Sequence, residues 1–315
     1  MPDFSSEFPK RLAHLELLPG KTYHELGEAL NRAAKLFGRN TEELCEHLAR
    51  FVGRETFVNE LPEGYDSEAA RLLLNYLAAL AGLRDAQRVA HRTLWPDPGG
   101  EVSSCKECGR SGSKRTKWEM TVWDPKREEM LGDARIMFLT KLRDYSLHYA
   151  TPVMTVATSF ESKSVSGAGG PMKMTNTVGI ERDSLLKWGG WTATTRAFIE
   201  GHEADVIDLL PLVLFFSQRV SAFIRWFGAQ IDGEVGRETF EYVDKQNDLG
   251  NWYRVHETAA QYRAARTSKY LRQRVKARLE RAANKTGGWR IIAPDENGEW
   301  VVGESDWPPL PPDWR

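Results

Sequence analysis

Three residues within one short stretch, Arg143, Asp144 and His148, have side chains suited to phosphodiester transfer. An imidazole can exchange a proton near neutral pH with a ribose 2′-OH or with a leaving 5′-oxygen. A guanidinium can stabilise the negative charge that gathers on a phosphorane-like transition state. Asp144 can orient either partner. On a helix, five steps of about 100° set Arg143 and His148 on neighbouring rather than identical faces, so both can border one cleft. Pairing of two such helices would bring two pairs together.

The spacing recurs elsewhere in the chain. Arg84 precedes His91 by seven positions and Arg196 precedes His202 by six, and Arg84-Asp85 repeats the polar second residue. The setting favours Arg143. Met130, Ala134, Met137, Phe138, Leu142 and Tyr145 follow a helical period around it, and Thr151-Pro152 stops the run. Arg196 to His202 crosses Gly201, a helix-ending residue. The competing reading of Arg143 and His148 is a surface arginine and a hydrogen-bonded structural histidine on an amphipathic helix.

The block Arg143-Asp144-x-x-x-His148 resembles the motif of HEPN-family proteins, an Arg, four to six residues, then a His, often with Asn, Asp or His directly after the Arg. The resemblance covers about residues 126–230. It implies a helical domain that forms a homodimer in which two motifs build one composite site. It also implies a metal-independent endoribonuclease of a phage-defence or toxin–antitoxin system, with Arg143, Asp144 and His148 at the catalytic centre. Other family members have lost catalysis and bind nucleotide or protein. The corresponding alternative is a non-catalytic helical protein contacting nucleic acid or a protein partner in a defence or mobile-element complex.

The elements that would position this motif are mostly helical. Thr22-Tyr23-His24-Glu25 has capping-box form, with Leu26, Ala29, Leu30, Ala33 and Leu36 following at helical spacing. Gly38-Arg39-Asn40 reads as the end of that helix, and Thr41 as the cap of the next. Two short helices about a glycine turn suit either a helical bundle or a helix-turn-helix over residues 20–52. Glu42, Glu43 and Glu46 on the second helix would repel phosphates and favour the bundle. Asp66-Ser67 opens a third helix. Residues 126–149 read as one helix, 153–160 and 172–180 as a β-hairpin, and 191–200 and 206–230 as helices. A small hairpin is expected within 289–302. The expectation is a mainly α fold, a helical bundle with an inserted β-hairpin and a small C-terminal hairpin. Its expected divisions are an N-terminal helical region (1–95), a loop with Cys-x2-Cys (96–125), the HEPN-like region (126–250), and a C-terminal part (251–315) with a basic helix, the hairpin and a Pro/Trp-rich tail.

Cys105 and Cys108 have the spacing of half a zinc site. A structural zinc there would need Cys45, His47, His91 or a second subunit to complete four ligands. Two free thiols in a loop is the alternative. Residues 253–285 are basic, and Arg263, Arg266, Lys269, Arg272, Arg274, Lys276 and Arg278 are the candidate phosphate contacts, with tyrosines as stacking faces. Overall, 43 Lys+Arg against 44 Asp+Glu exclude a global nucleic-acid footprint but not this local one. The 3 cysteines argue against a disulfide framework and for a reducing compartment. The N-terminus lacks a signal-peptide pattern, and the apolar run Val206–Phe216 is broken by Asp208 and Pro211, short of a bilayer span. A cytoplasmic protein with no membrane association is the expectation. Gly167-Ala168-Gly169-Gly170 lacks the Lys-Ser/Thr of a phosphate loop, and no His-Glu-x-x-His or serine-nucleophile signature occurs.

Overall fold

A computed structural model describes residues 4–54, 56–97, 101–104, 111–162, 172–264, 291–294 and 300–302. The fold is mainly α, with an antiparallel hairpin inserted between helices. The helices are α1 (Phe4–Glu16), α2 (Pro19–Ala49), α3 (Tyr65–Leu94), α4 (Asp124–Leu131), α5 (Ala134–His148), α6 (Arg182–Leu186), α7 (Ala193–Glu200) and α8 (Leu209–Ala264). The strands are β1 (Glu101–Ser104), β2 (Ser111–Arg115), β3 (Met154–Ser162), β4 (Met172–Glu181), β5 (Val206–Asp208), β6 (Ile291–Pro294) and β7 (Trp300–Val302). Residues 25–234 form one compact unit, and residues 1–24 with 235–315 form another.

In the larger unit, α2 continues straight through Gly38, which removes the turn that a helix-turn-helix over 20–52 requires. A glycine inside a helix costs only about 1 kcal/mol. Leu30, Phe37, Leu44 and Leu48 lie on both sides of Gly38, and all are buried, which outweighs that cost. Asn40 and Thr41 do not cap a second helix. Their side chains donate back to the carbonyls of Leu36 (2.8 Å) and Phe37 (2.9 Å). Thr22 and Glu25 likewise lie inside α2, which begins at Pro19.

The expected helix over 126–149 is two helices. Gly132 ends α4, and the Asp133 side chain accepts a hydrogen bond from the Arg135 amide at 2.9 Å to start α5. A single π-turn at Glu119–Trp123 precedes α4. The inserted hairpin pairs in register from Met154↔Ile180 to Ser162↔Met172. A third strand, β5, was not anticipated: Gly179 and Ile180 pair with Asp208 and Ile207. A Cβ on Gly179 would overlap the Ile207 backbone, so the close approach of β5 requires glycine there. Asn176 on β4 is buried and fastens the hairpin to the segment after α2. Its amide donates to the carbonyls of Arg54 (2.8 Å) and Thr56 (2.7 Å) and accepts from the Thr158 hydroxyl (2.7 Å).

Asp208 and Pro211 do not interrupt an apolar run; they start α8. The Asp208 carboxylate accepts from the Leu210 amide at 3.2 Å, and Pro211 sits in the first turn, where its missing N–H is harmless. By length and composition α8 is apolar enough to cross a membrane. Its apolar residues Leu209, Val213, Phe216, Val220, Phe223 and Phe227 are, however, core residues of the larger unit.

That core explains why the expected boundary at 96–125 does not divide the chain. Side chains from α2 and α3 share one cluster with Trp123, Leu139, Leu142, Ile180 and Phe223. Within 96–125, β1 and β2 form a short hairpin where only loop was expected. In the smaller unit, Leu15, Tyr242 and Leu249 form a second cluster joined by Phe8, Leu18, Val243 and Trp252. The Arg11 guanidinium lies 4.6 Å from the Trp252 ring centre. A Cβ on Gly20 would overlap the Glu238 carbonyl, so glycine permits the backbones to meet. The expected C-terminal hairpin is β6–β7, with Ile291 opposite Val302.

Candidate functional site

Helix α5 carries the motif because its other faces are consumed by packing. Ile136, Phe138, Leu139, Leu142 and Tyr145 are buried. Tyr145 stacks on Trp191 with ring centres 5.6 Å apart and meets Trp188 edge-on at 5.6 Å. Burial pushes its phenol above the ordinary value. Arg143 and Asp144 are thereby left half-buried on one side, and Leu147, His148 and Tyr149 exposed at the C-terminal end.

Arg143 and Asp144 line a cleft of about 300 Å³. Its apolar walls come from α3, α5 and α8, through Leu80, Leu83, Ile136, Phe216, Val220 and Phe223. Trp123 from the π-turn and Thr192, the N-cap of α7, complete it. The Thr192 hydroxyl accepts from the Thr195 amide at 3.2 Å, which fixes the start of α7 at the cleft. The Asp144 carboxylate accepts from Lys141 Nζ at 3.0 Å and lies 4.0 Å from Arg143 Nη1. Asp144 therefore attends to Lys141 and Arg143, not to His148.

His148 is not among the cleft residues. Five helical steps leave about 140° and about 7.5 Å of rise between it and Arg143. Bringing them to one cleft within a single chain, as the spacing suggested, is not what the structure does.

The rival pairs have different surroundings. His91 is fully buried against Trp118 and Trp123, with ring centres at 5.7 and 5.3 Å. Among the described residues, neither ring nitrogen has a hydrogen-bond partner. Burial pushes its pKa down to about 4, with Arg92 and Arg88 acting in the same direction and Glu119 opposing them. His202 is half-buried with Nε2 3.3 Å from the Val206 carbonyl, and Arg196 donates to Glu200 at 2.8 Å.

Sequence reasoning missed Arg84 and Gln87, which line the cleft opposite α5. A signal existed. Leu73, Leu77, Leu80, Arg84, Gln87 and His91 form one stripe along α3, and its C-terminal half turns polar where apolar residues would continue a core. Burial pulls the Arg84 guanidinium down from its ordinary value, as do Arg88 and Arg143, with Asp85 and Asp144 opposing.

The remaining sequence candidates are placed as follows. Cys105 and Cys108 lie outside the described residues. Of their suggested co-ligands, His47 is buried with Nε2 3.0 Å from the Tyr65 carbonyl, Cys45 packs on the core, and His91 is enclosed as above. Among the described residues no group of three His, Cys, Asp or Glu side chains gathers to hold a metal. Arg263 lies in the last turn of α8, while Arg266, Lys269, Arg272, Arg274, Lys276 and Arg278 lie outside the described residues. Comparison with models of known families, with curated protein sequences and with solved structures gives no match.

Proposed function

We propose that this chain is a HEPN-like, metal-independent endoribonuclease whose site is completed by a second copy. Arg143 stabilises the phosphorane-like transition state, His148 transfers the proton, and Asp144 with Lys141 holds Arg143. One observation carries the reading. Of the three Arg–His pairs, only Arg143–His148 joins an exposed histidine to an arginine on a cleft. The angular separation of the two residues supports a composite site, because each could meet its counterpart from the other copy. Leu147 (60% exposed), Tyr149 (51%) and Val153 (52%) flank His148 and give that second copy an apolar surface to cover. The basic segment from Arg263 to Arg278 would hold RNA phosphates, and the reading carries a cytoplasmic, phage-defence or toxin–antitoxin role.

The test uses purified wild type and His148→Ala incubated with a structured RNA in EDTA. Cleavage by wild type and its loss in the variant are expected. Equal cleavage by both, or none by either, would overturn the assignment.

A second reading is non-catalytic binding of nucleic acid or a protein partner. It is favoured by the lack, among the described residues, of any side chain hydrogen-bonded to His148. Salt-dependent RNA binding by both proteins without cleavage would select it.

A further inference from the structure

The cleft beside Arg143 has more chemistry than a proton-transfer site uses. Its charged lining is four cations (Arg84, Arg127, Lys141, Arg143) against two carboxylates (Glu128, Asp144). Two of those cations have close carboxylate partners: Lys141 has Asp144 at 3.0 Å and Arg127 has Asp124 at 3.4 Å. Arg84 and Arg143 reach theirs only at 3.9 and 4.0 Å, and Asp144 is already held by Lys141. Arg84 Nε is buried with no hydrogen-bond partner among the described residues. Gln87 is only 4% exposed, yet it lines the cleft and its amide makes no hydrogen bond among the described residues. A buried polar atom without a partner costs about 1–3 kcal/mol, so the presence of Arg84 Nε at the cleft marks where a ligand's polar end belongs. The N-terminus of α7, capped by Thr192, adds partial positive charge to the same space. Apart from Thr140 and Thr195, the rest of the wall is apolar. At about 300 Å³ the cleft suits a small molecule rather than a polymer chain.

We propose that this cleft binds a small amphipathic anion, with its carboxylate or phosphate head between Arg84 and Arg143 beside Gln87, and its apolar body against Leu80, Phe216 and Phe223. Planar guanidinium forks on two helices suit a bidentate oxyanion. A bound head group occupies Arg143, so the ligand inhibits any chemistry that Arg143 performs. The site goes beyond the ribonuclease reading and is tested by binding alone, so the failure of one leaves the other standing.

The probe is 8-anilinonaphthalene-1-sulfonate, an anionic head on an aromatic body, titrated by fluorescence into the full chain. Saturable binding at one site per chain is expected. Arg84→Gln should weaken it about tenfold, the loss of one charge-assisted contact, and Val220→Trp should abolish it by filling the cleft. Far-UV circular dichroism and urea midpoints verify that each variant folds, and Arg84→Gln decides alone if Val220→Trp does not. Competition then identifies the natural class: displacement by decanoate points to an aliphatic carboxylate, and by adenosine monophosphate to an aromatic phosphate. No saturable binding, binding unchanged by Arg84→Gln, or displacement by inorganic phosphate as effective as by either competitor would overturn the proposal.

Discussion

His91→Leu should make the protein more stable and less sensitive to acid. His91 is fully buried among Trp118, Trp123 and the core, and among the described residues neither ring nitrogen finds a partner. A buried polar group in that state costs about 1–3 kcal/mol, and leucine, of similar volume but wholly apolar, removes the cost while its branched shape fits less well than a flat ring. The net expectation at pH 7.5 is a gain of about 1 kcal/mol. The acid effect is larger. In the fold the imidazole protonates only near about 4, against 6.5 ordinarily. The unfolded chain therefore takes up a proton first as pH falls. The contribution of neutral His91 is fully present above 6.5 and is lost as pH falls towards 4. The full difference amounts to about 3 kcal/mol, of which about 2 kcal/mol is gone at pH 5. Urea unfolding followed by tryptophan fluorescence at pH 7.5 and pH 5 measures both effects. Wild type should lose about 2 kcal/mol more than His91→Leu between the two values. Equal acid losses, or a variant more than about 1 kcal/mol weaker at pH 7.5, would refute the reasoning and mean that His91 is satisfied by a group, such as an internal water, within the core.

Three further outcomes follow from particular contacts. Asn176→Ala should lower unfolding stability by about 1–3 kcal/mol, since it leaves the Arg54 and Thr56 carbonyls unpaired, and the urea midpoint reads this directly. Gly20→Val should loosen the smaller unit, where its side chain would overlap the Glu238 backbone, and amide hydrogen exchange should rise around Tyr242 and Leu249 while the core about Leu139 stays protected. Leu147→Glu should shift the sedimentation of the protein from dimer to monomer at micromolar concentration, and unchanged sedimentation would remove Leu147 from the proposed interface.

Most helices and the central hairpin were legible because local pattern and burial agree there. The β-branched run that ends at Phe160 and its return through Thr175–Val178 pair in the structure from Met154 onward, as their β-branched content suggested. Local signals failed where tertiary burial outweighed them. Gly38 looks like a helix end but lies inside α2, because the apolar stripe on both sides of it is buried. Asp208 and Pro211 look like interruptions and instead start α8, while Val206, Ile207 and Asp208 join a sheet whose partner strand is distant in sequence. The candidate site was half legible. The placement of Arg143 and Asp144 on a cleft could be anticipated from helix periodicity. The other wall could not, because Arg84 comes from α3, 59 positions earlier in the sequence. The polar half of the α3 stripe was a local trace of it, read instead as another chance Arg–His spacing.

The most direct test of a site shared between two copies is complementation. Arg143→Ala and His148→Ala each abolish RNA cleavage in EDTA on this account. Co-expressed and purified as mixed dimers, they should recover cleavage well above either variant alone, because one copy supplies the arginine and the other the histidine. Mixed dimers as inactive as the separate variants, beside an active wild type, would contradict the composite site.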